Sequence, residues 1–262
     1  MVQPLQTPDA PCLLALDSAT EPLALALVTG GQLRCRETAG GPQASSQLIP
    51  AVQALMAEAG CHWSDLQGVV VGRGPGAFTG LRSALAVAQG LALGLSLPVL
   101  TVDSLLLVAE AARAALAPEA DDPAPADEVG QGRLFWALAD ARMGEVYAAA
   151  YRWQGAVGGW QETVAPFLGS PDAVVRAVRQ AGAAPVLAGS ALPLLADLTT
   201  DLPAVLPGAW VPHALGARAP ALARLARQRW SPEAAGPPEQ ALPLYLRDKV
   251  ALTMAERAGA VR

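Results

Sequence analysis

A chain of 262 residues, 52% hydrophobic and 16% charged, carries enough apolar side chain for a large core and does not have the composition of a disordered polymer. Its length predicts one large domain or two lobes. The net charge of −5 and pI near 5.1 exclude a globally basic nucleic-acid surface.

Residues 1–11 show no basic leader region, and the apolar run from Cys12 ends at Asp17, so a cytoplasmic protein is expected. Cys12-Leu13-Leu14-Ala15-Leu16 reads as a strand closing in a small polar turn, Asp17-Ser18-Ala19-Thr20. Leu23 to Val28 is a second strand, Gly30-Gly31 a hairpin turn, and Gln32 to Glu37 a third strand. Three antiparallel strands with an Asp and hydroxyls in the first turn are how actin-like, Hsp70-like and sugar-kinase lobes begin. Gln47 to Ala59 has Leu48, Val52, Leu55, Met56 and Ala59 spaced for one helical face, with Pro50 tolerated in the first turn.

Val69-Val70-Val71 then runs into Gly72-Arg73-Gly74-Pro75-Gly76-Ala77-Phe78-Thr79-Gly80-Leu81-Arg82. This predicts a buried strand, a tight glycine loop and a helix from about Arg82 to Leu97. The stretch Ser83 to Val102 lacks charge, but Gln89, Ser96, two glycines and Pro98 favour a helix followed by a strand, Pro98–Val102, over a membrane span. Asp103-Ser104 caps a further helix to about Leu116.

The domain reading is therefore a first lobe over 1–117, a Pro/Ala/Asp/Glu-rich linker over 118–132 and a second lobe over 133–262. The second lobe repeats the opening of the first: strand Leu134–Ala139, a turn with Asp140, strand Glu145–Trp153, a Gly155–Gly159 turn and strand Trp160–Val164. A helix capped by Ser170, a strand with Gly189, a helix over Ala219–Arg229 and an extended Leu242–Arg247 follow. A terminal helix, 249–258, is expected to be able to pack back on the first lobe. The fold class is α/β, with two mixed sheets each flanked by helices.

Chemistry-bearing patterns are few. No Gly-Lys-Ser/Thr follows the glycine loop, and Ala77 stands where a dinucleotide fingerprint needs its third glycine. The loop is left with three uses: packing, anion binding or facing a partner. In the anion reading Asp17, Thr20, Gly74, Gly76, Thr79, Gly80 and Arg82 would hold a weakly bound ATP or ADP, with Thr79 capping the helix and Arg82 pairing with an anion or a carboxylate. Asp17 otherwise simply ends its strand. Asp140, Arg142, Glu145 and Tyr147 form a charged turn that is either self-paired and complex-facing or substrate-binding. Cys12, Cys35 and Cys61 are far apart without a CxxC, and read as free thiols. His62 and His213 are the only histidines, and no HExxH or GxSxG occurs, so neither a metal site nor a catalytic residue is assigned.

The glycine-loop run, Asp140-Ala141-Arg142-Met143-Gly144-Glu145-Val146-Tyr147, Leu244-Tyr245-Leu246-Arg247 and Asp17-Ser18-Ala19-Thr20-Glu21 together resemble the bacterial TsaB (YeaZ) family, over nearly all of the chain beyond residue 12. The resemblance implies a two-lobed actin/Hsp70/sugar-kinase-like fold. It implies a non-catalytic subunit that binds TsaD, and with it TsaE, for threonylcarbamoyl transfer to N6 of adenosine 37 in tRNAs reading ANN codons. Contact with tRNA would come through the complex. It implies a partner surface on the first-lobe helices, with Leu48, Val52, Leu55, Met56, Leu81, Leu85 and Ala88 as the expected contacts to TsaD or, in a homodimer, to a second copy. Family members often carry a His where this chain has Gln43-Ala44-Ser45-Ser46-Gln47. The competing readings are an ATP-binding phosphotransferase of the same fold acting alone and a metallopeptidase-like protein.

Overall fold

The computed structural model describes residues 11–20, 22–30, 32–39, 44–116, 132–181, 185–198, 210–211 and 218–247. The expected linker and the expected helix at 249–258 lie outside the described residues, apart from Gly132. The chain forms β1 (Leu13–Asp17), β2 (Pro22–Thr29), β3 (Gln32–Ala39), α1 (Ala44–Ala59), β4 (Gly68–Gly72), α2 (Phe78–Leu95), β5 (Val99–Val102) and α3 (Ser104–Leu116). The second half forms β6 (Arg133–Arg142), β7 (Glu145–Trp153), α4 (Gly155–Gly158), β8 (Trp160–Gly169), α5 (Pro171–Gln180), β9 (Val186–Ala188), α6 (Leu192–Leu195), β10 (Trp210–Val211) and α7 (Arg218–Arg229).

One sheet runs β3-β2-β1-β4-β5 and the other β8-β7-β6-β9-β10, the same order in each half. In both, the first three strands pair antiparallel and the remaining two join parallel. The duplicated two-lobed fold expected from the sequence is therefore present.

Strands β1 and β4 are buried on both faces, which is why they read as continuous apolar runs. Period-2 geometry sorts their side chains. Leu14, Leu16, Leu23, Leu25, Leu27, Val69 and Val71 face α1 and α2. The opposite face carries Ala15, Ala24, Ala26, Val28 and Val70, and its small residues admit the Ala-rich helix α7. Although α7 belongs to the second half of the chain, it packs on β1, β2 and β3. Conversely α3, from the first half, packs on β6, β7 and β9, and the two helices touch. Each half thus lends a helix to the other's sheet.

Several expectations need correction. The seven proposed contact residues, Leu48, Val52, Leu55, Met56, Leu81, Leu85 and Ala88, are all buried against the first sheet, none more than 4% exposed. They are core, because they form the faces of α1 and α2 that cover the sheet's leucine side. The glycine-loop helix starts at Phe78 and ends at Leu95, where Ser96 adopts a left-handed conformation (φ 54°). Thr79 therefore lies inside the helix and does not cap it; the N-cap is Ala77. The expected Gly155–Gly159 hairpin turn is the single helical turn α4, and β8 extends five residues past Val164. Among the described residues α2 is the one helix long and apolar enough to cross a membrane, and its inner face, including Ala84 and Ala92, is packed in the protein core.

Glu110 of α3 sits where the exchanged helices meet and is 2% exposed. Arg113 donates to it through two bonds of 2.9 Å, Arg224 of α7 donates a third, and the Trp160 indole of β8 a fourth at 3.0 Å. Arg113 also lies 4.4 Å over the Trp153 ring. Burial pushes the Glu110 carboxyl upward, but the bonds and charges of Arg113 and then Arg224 outweigh it and hold the group below its ordinary 4.5. A depressed folded-state pKa contributes stability that is complete above the unfolded value and lost as pH falls through the folded one. Glu110→Gln is thus expected to lower stability by about 3 kcal/mol at pH 7. The gap between the wild-type and variant melting temperatures should close as the pH falls below 4.5. Thermal melts from pH 7 to acid check this, and a gap independent of pH would refute it.

Candidate functional site

The glycine loop leaves β4 beside the turn that ends β1. A Cβ at Gly72 would lie 1.8 Å from the Asp17 carboxylate, one at Gly76 2.1 Å from the Ala19 carbonyl oxygen, and one at Gly80 2.2 Å from the Ser18 carbonyl oxygen. The Ala77 N–H donates to the Ala19 carbonyl at 2.7 Å. These glycines are needed because loop and first helical turn press directly on the Ser18–Ala19 backbone. The carbonyl oxygens of Ser18 and Ala19 thus lie against the loop, where a phosphate cradle would present N–H groups. Gly74 (φ 96°) adopts a conformation that glycine allows freely.

Asp17 is fully buried. One carboxylate oxygen accepts from the Arg218 guanidinium at 2.5 Å and from the Ala19 N–H at 3.3 Å. The other accepts from the Ser104 hydroxyl, whose oxygen in turn accepts the Gly74 N–H at 3.0 Å. Arg218 is 1% exposed, and the Ala219 N–H behind it donates to Glu37 at 2.7 Å. The carboxylate expected to serve a metal–phosphate is therefore satisfied by an internal cation and a hydroxyl. Thr20 does not join it: its buried hydroxyl oxygen has no hydrogen-bond partner among the described residues.

On the open side, residues 242–247 run as an extended strap outside both sheets. The Leu244 N–H donates to the Arg73 carbonyl at 2.7 Å, and Arg73 is itself paired with Asp103 at 2.5 Å. Arg82 Nε donates to the Tyr245 hydroxyl at 2.8 Å, and its guanidinium stacks 3.6 Å over Phe78. Arg82 was expected to hold an anion or a carboxylate; here the aromatic pair Phe78–Tyr245, 5.3 Å between centroids, receives it. Further along the strap, Arg247 donates to Glu145, to the Ala141 carbonyl at 3.1 Å and to the Met143 sulfur at 3.2 Å.

That last set holds the β6–β7 turn, where Arg142, Met143 and Gly144 are successively left-handed. Asp140 accepts the Arg142 N–H at 2.7 Å and lies 3.6 Å from its guanidinium. Tyr147 lies on β7, half-buried against the central core. Three sequence-distant runs, the glycine loop, the charged turn and Leu244–Arg247, therefore meet through the strap. Among the described residues no group of three or more His, Cys, Asp or Glu side chains is gathered to hold a metal ion. Sequence reasoning missed Arg218 and Glu110. The available signal was weak: an arginine at the head of an Ala/Leu helix and a lone glutamate in an apolar one.

A family model described as TsaD, tRNA N6-adenosine threonylcarbamoyltransferase, matches residues 41–167. TsaB of Escherichia coli K12, a tRNA threonylcarbamoyladenosine biosynthesis protein, is 35% identical over 140 residues, 53% of this chain and 54% of its own. The Haemophilus influenzae TsaB is 33% identical over 135 residues, 52% of this chain and 51% of its own. The solved structure of YeaZ from Pseudomonas aeruginosa is 32% identical, covers 90% of this chain and 100% of its own, and superposes with a TM-score of 0.73. The chain belongs to the TsaB (YeaZ) family. It spans about half the length of the curated TsaB relatives it matches, and the whole of the solved YeaZ chain.

Within this TsaB-type chain the glycines divide into two kinds. Gly76 and Gly80 have no room for a methyl group, whereas a Cβ at Gly90 or Gly94 of α2 would meet nothing within 4 Å among the described residues. Gly76→Ala should cost more than about 2 kcal/mol, since backbone must move. Gly90→Ala should stabilise the isolated chain by roughly 0.5–1 kcal/mol through helix propensity. Urea unfolding of the two variants tests the division, and equal effects would refute it.

Proposed function

We propose that this chain is the non-catalytic partner subunit of a tRNA threonylcarbamoyladenosine-forming assembly. It would bind a TsaD-type transferase, and with it TsaE, and support threonylcarbamoyl transfer to N6 of adenosine 37 in tRNAs reading ANN codons. The observation that carries the reading is the Asp17–Arg218 pair. A chain with the kinase-like fold has neutralised its phosphate-side carboxylate with its own arginine and seated its glycine loop on a carbonyl-lined turn. Such a lobe is suited to presenting surfaces rather than to turning over nucleotide. The pathway itself is named in the TsaB relatives.

The docking surface moves from the buried faces of α1 and α2 to their outer faces. Ile49 is 48% exposed and Leu93 74%, and Gln53, Ala86, Gly90 and Gly94 are exposed alongside them. Ala86, Gly90 and Gly94 recur every fourth residue, a small-residue row into which another helix can pack closely. Glycine inside a helix is costly, and among the described residues nothing occupies the space left at Gly90 and Gly94. A helix of the partner, or of a second copy, would fill it.

Leu93→Glu is expected to weaken binding to the TsaD-type subunit at least tenfold, a loss of about 1.4 kcal/mol, while leaving the melting temperature of the isolated chain unchanged. Calorimetric titration measures the first and thermal melting the second; full-affinity binding would sink the placement. For the function, tRNA modification is measured with the transferase, TsaE and the threonylcarbamoyl-adenylate supplier, with and without this chain. Full modification in its absence would overturn the reading. A phosphotransferase acting alone would instead show a melting temperature that rises with ATP–Mg. The satisfied Asp17 carboxylate supports expecting a flat response.

A further inference from the structure

Cys12, just before β1, and Cys61, just after α1, are distant in sequence, yet their sulfurs lie 3.4 Å apart. Both are half-buried, so a small reagent can reach them. Their backbones are held independently of the sulfur contact. The Cys12 N–H donates to the Gln67 side-chain carbonyl at 3.1 Å, and the Gln67 N–H returns a bond to the Cys12 carbonyl at 2.8 Å. The Cys61 N–H donates to the Met56 carbonyl at 3.0 Å, following a left-handed Gly60 that turns the chain out of α1. Neither cysteine lies inside a helix or strand, so each χ1 can rotate to shorten the gap to a bond of about 2.05 Å. Cys35, exposed on β3, has no sulfur partner and serves as an internal control.

We propose that Cys12 and Cys61 are a dithiol redox site that closes to an intramolecular disulfide by exchange with a low-molecular-weight disulfide. Cys61 gives its proton to solvent, and its thiolate attacks one sulfur of the small disulfide. A mixed disulfide forms on Cys61 and one small thiolate leaves. Cys12 then loses its proton and attacks the Cys61 sulfur, forming the Cys12–Cys61 bond and expelling the second small thiolate. Two protein thiols lose two electrons and two protons, and the small disulfide is reduced to two thiols. Burial first, then the hydrogen bond and charge of Cys61, push the Cys12 thiol up to about 12. Once Cys61 is capped, its hydrogen bond and charge no longer oppose ionisation of Cys12. The closed bond would tie the entry of β1 to the exit of α1.

The full chain is incubated with oxidised glutathione, alkylated and analysed by peptide mass spectrometry. The wild type should lose the Cys12 and Cys61 thiols together and yield a linked peptide pair without bound glutathione. Its melting temperature should rise by roughly 5–10 °C, reversibly on reduction, because a long loop is closed. Cys12→Ser should stop at glutathione on Cys61, and Cys35→Ser should close the bond as the wild type does. Glutathione accumulating on Cys61 of the wild type while Cys12 remains alkylatable would overturn the proposal. So would three unreacted thiols under conditions that oxidise a free dithiol peptide.

Discussion

The fold depends on a buried carboxylate having found partners inside its own chain. Asp17 and Arg218 are 0% and 1% exposed, and an unpaired charge at such a depth would cost several kcal/mol. The pair therefore forms only when β1, the start of α3 and the start of α7 arrive together. Its direct contribution to stability need not be large, since an apolar replacement of equal volume can do as well. Its specificity is the stronger effect. Arg218 can reach Asp17 only if α7 crosses back onto the first sheet, and Ser104 can complete the carboxylate only if α3 starts beside Gly74. One ion pair thus selects the arrangement in which the two halves exchange helices.

Glu110 has the same logic at the other end of that exchange. It gathers Arg113 from its own helix, Arg224 from α7 and Trp160 from the second sheet. A duplicated fold could settle as two lobes that merely touch. Here the central core is continuous through both sheets, and its two buried carboxylates are each satisfied by an arginine of α7. Residues of α7 are thus the common counter-ions of the assembly, which explains arginine in a helix that otherwise buries alanine and leucine.

Much of this architecture was legible in the sequence. Strands buried on both faces leave uninterrupted apolar runs, and the strand–turn–strand opening at Leu13 is visibly repeated at Leu134. The glycine loop was equally visible, but its purpose was not, because the atoms that require Gly76 and Gly80 belong to Ser18 and Ala19, far away in sequence. The helix faces were misread for a different reason. Helix α2 has Arg82 as its only charge and is apolar almost all round, so periodicity does not say which stripe meets the sheet. Leu85 and Leu93 look alike until β4 covers one of them. Arg218 was illegible because an arginine at the head of a helix is ordinarily solvated, and only the long-range arrival of Asp17 makes it a core residue.

The strap gives the glycine loop a structural use in placing α2. Arg73 and Arg82 lie at either end of the loop, and Leu244 and Tyr245 hold one each. Two residues on, Arg247 grips the β6–β7 turn of the second half. The position of α2 is thereby set from three directions: by the β1 turn under its first residues, by the strap at its N-terminal end and by the first sheet along its inner face. A helix held this firmly on its inner side presents its outer row, Ala86, Gly90 and Gly94, in one fixed orientation. Pre-set orientation lowers the entropy lost on association. On the proposed function, the contacts that crowd the glycine loop would therefore be the same ones that orient a docking surface on the outer row of α2.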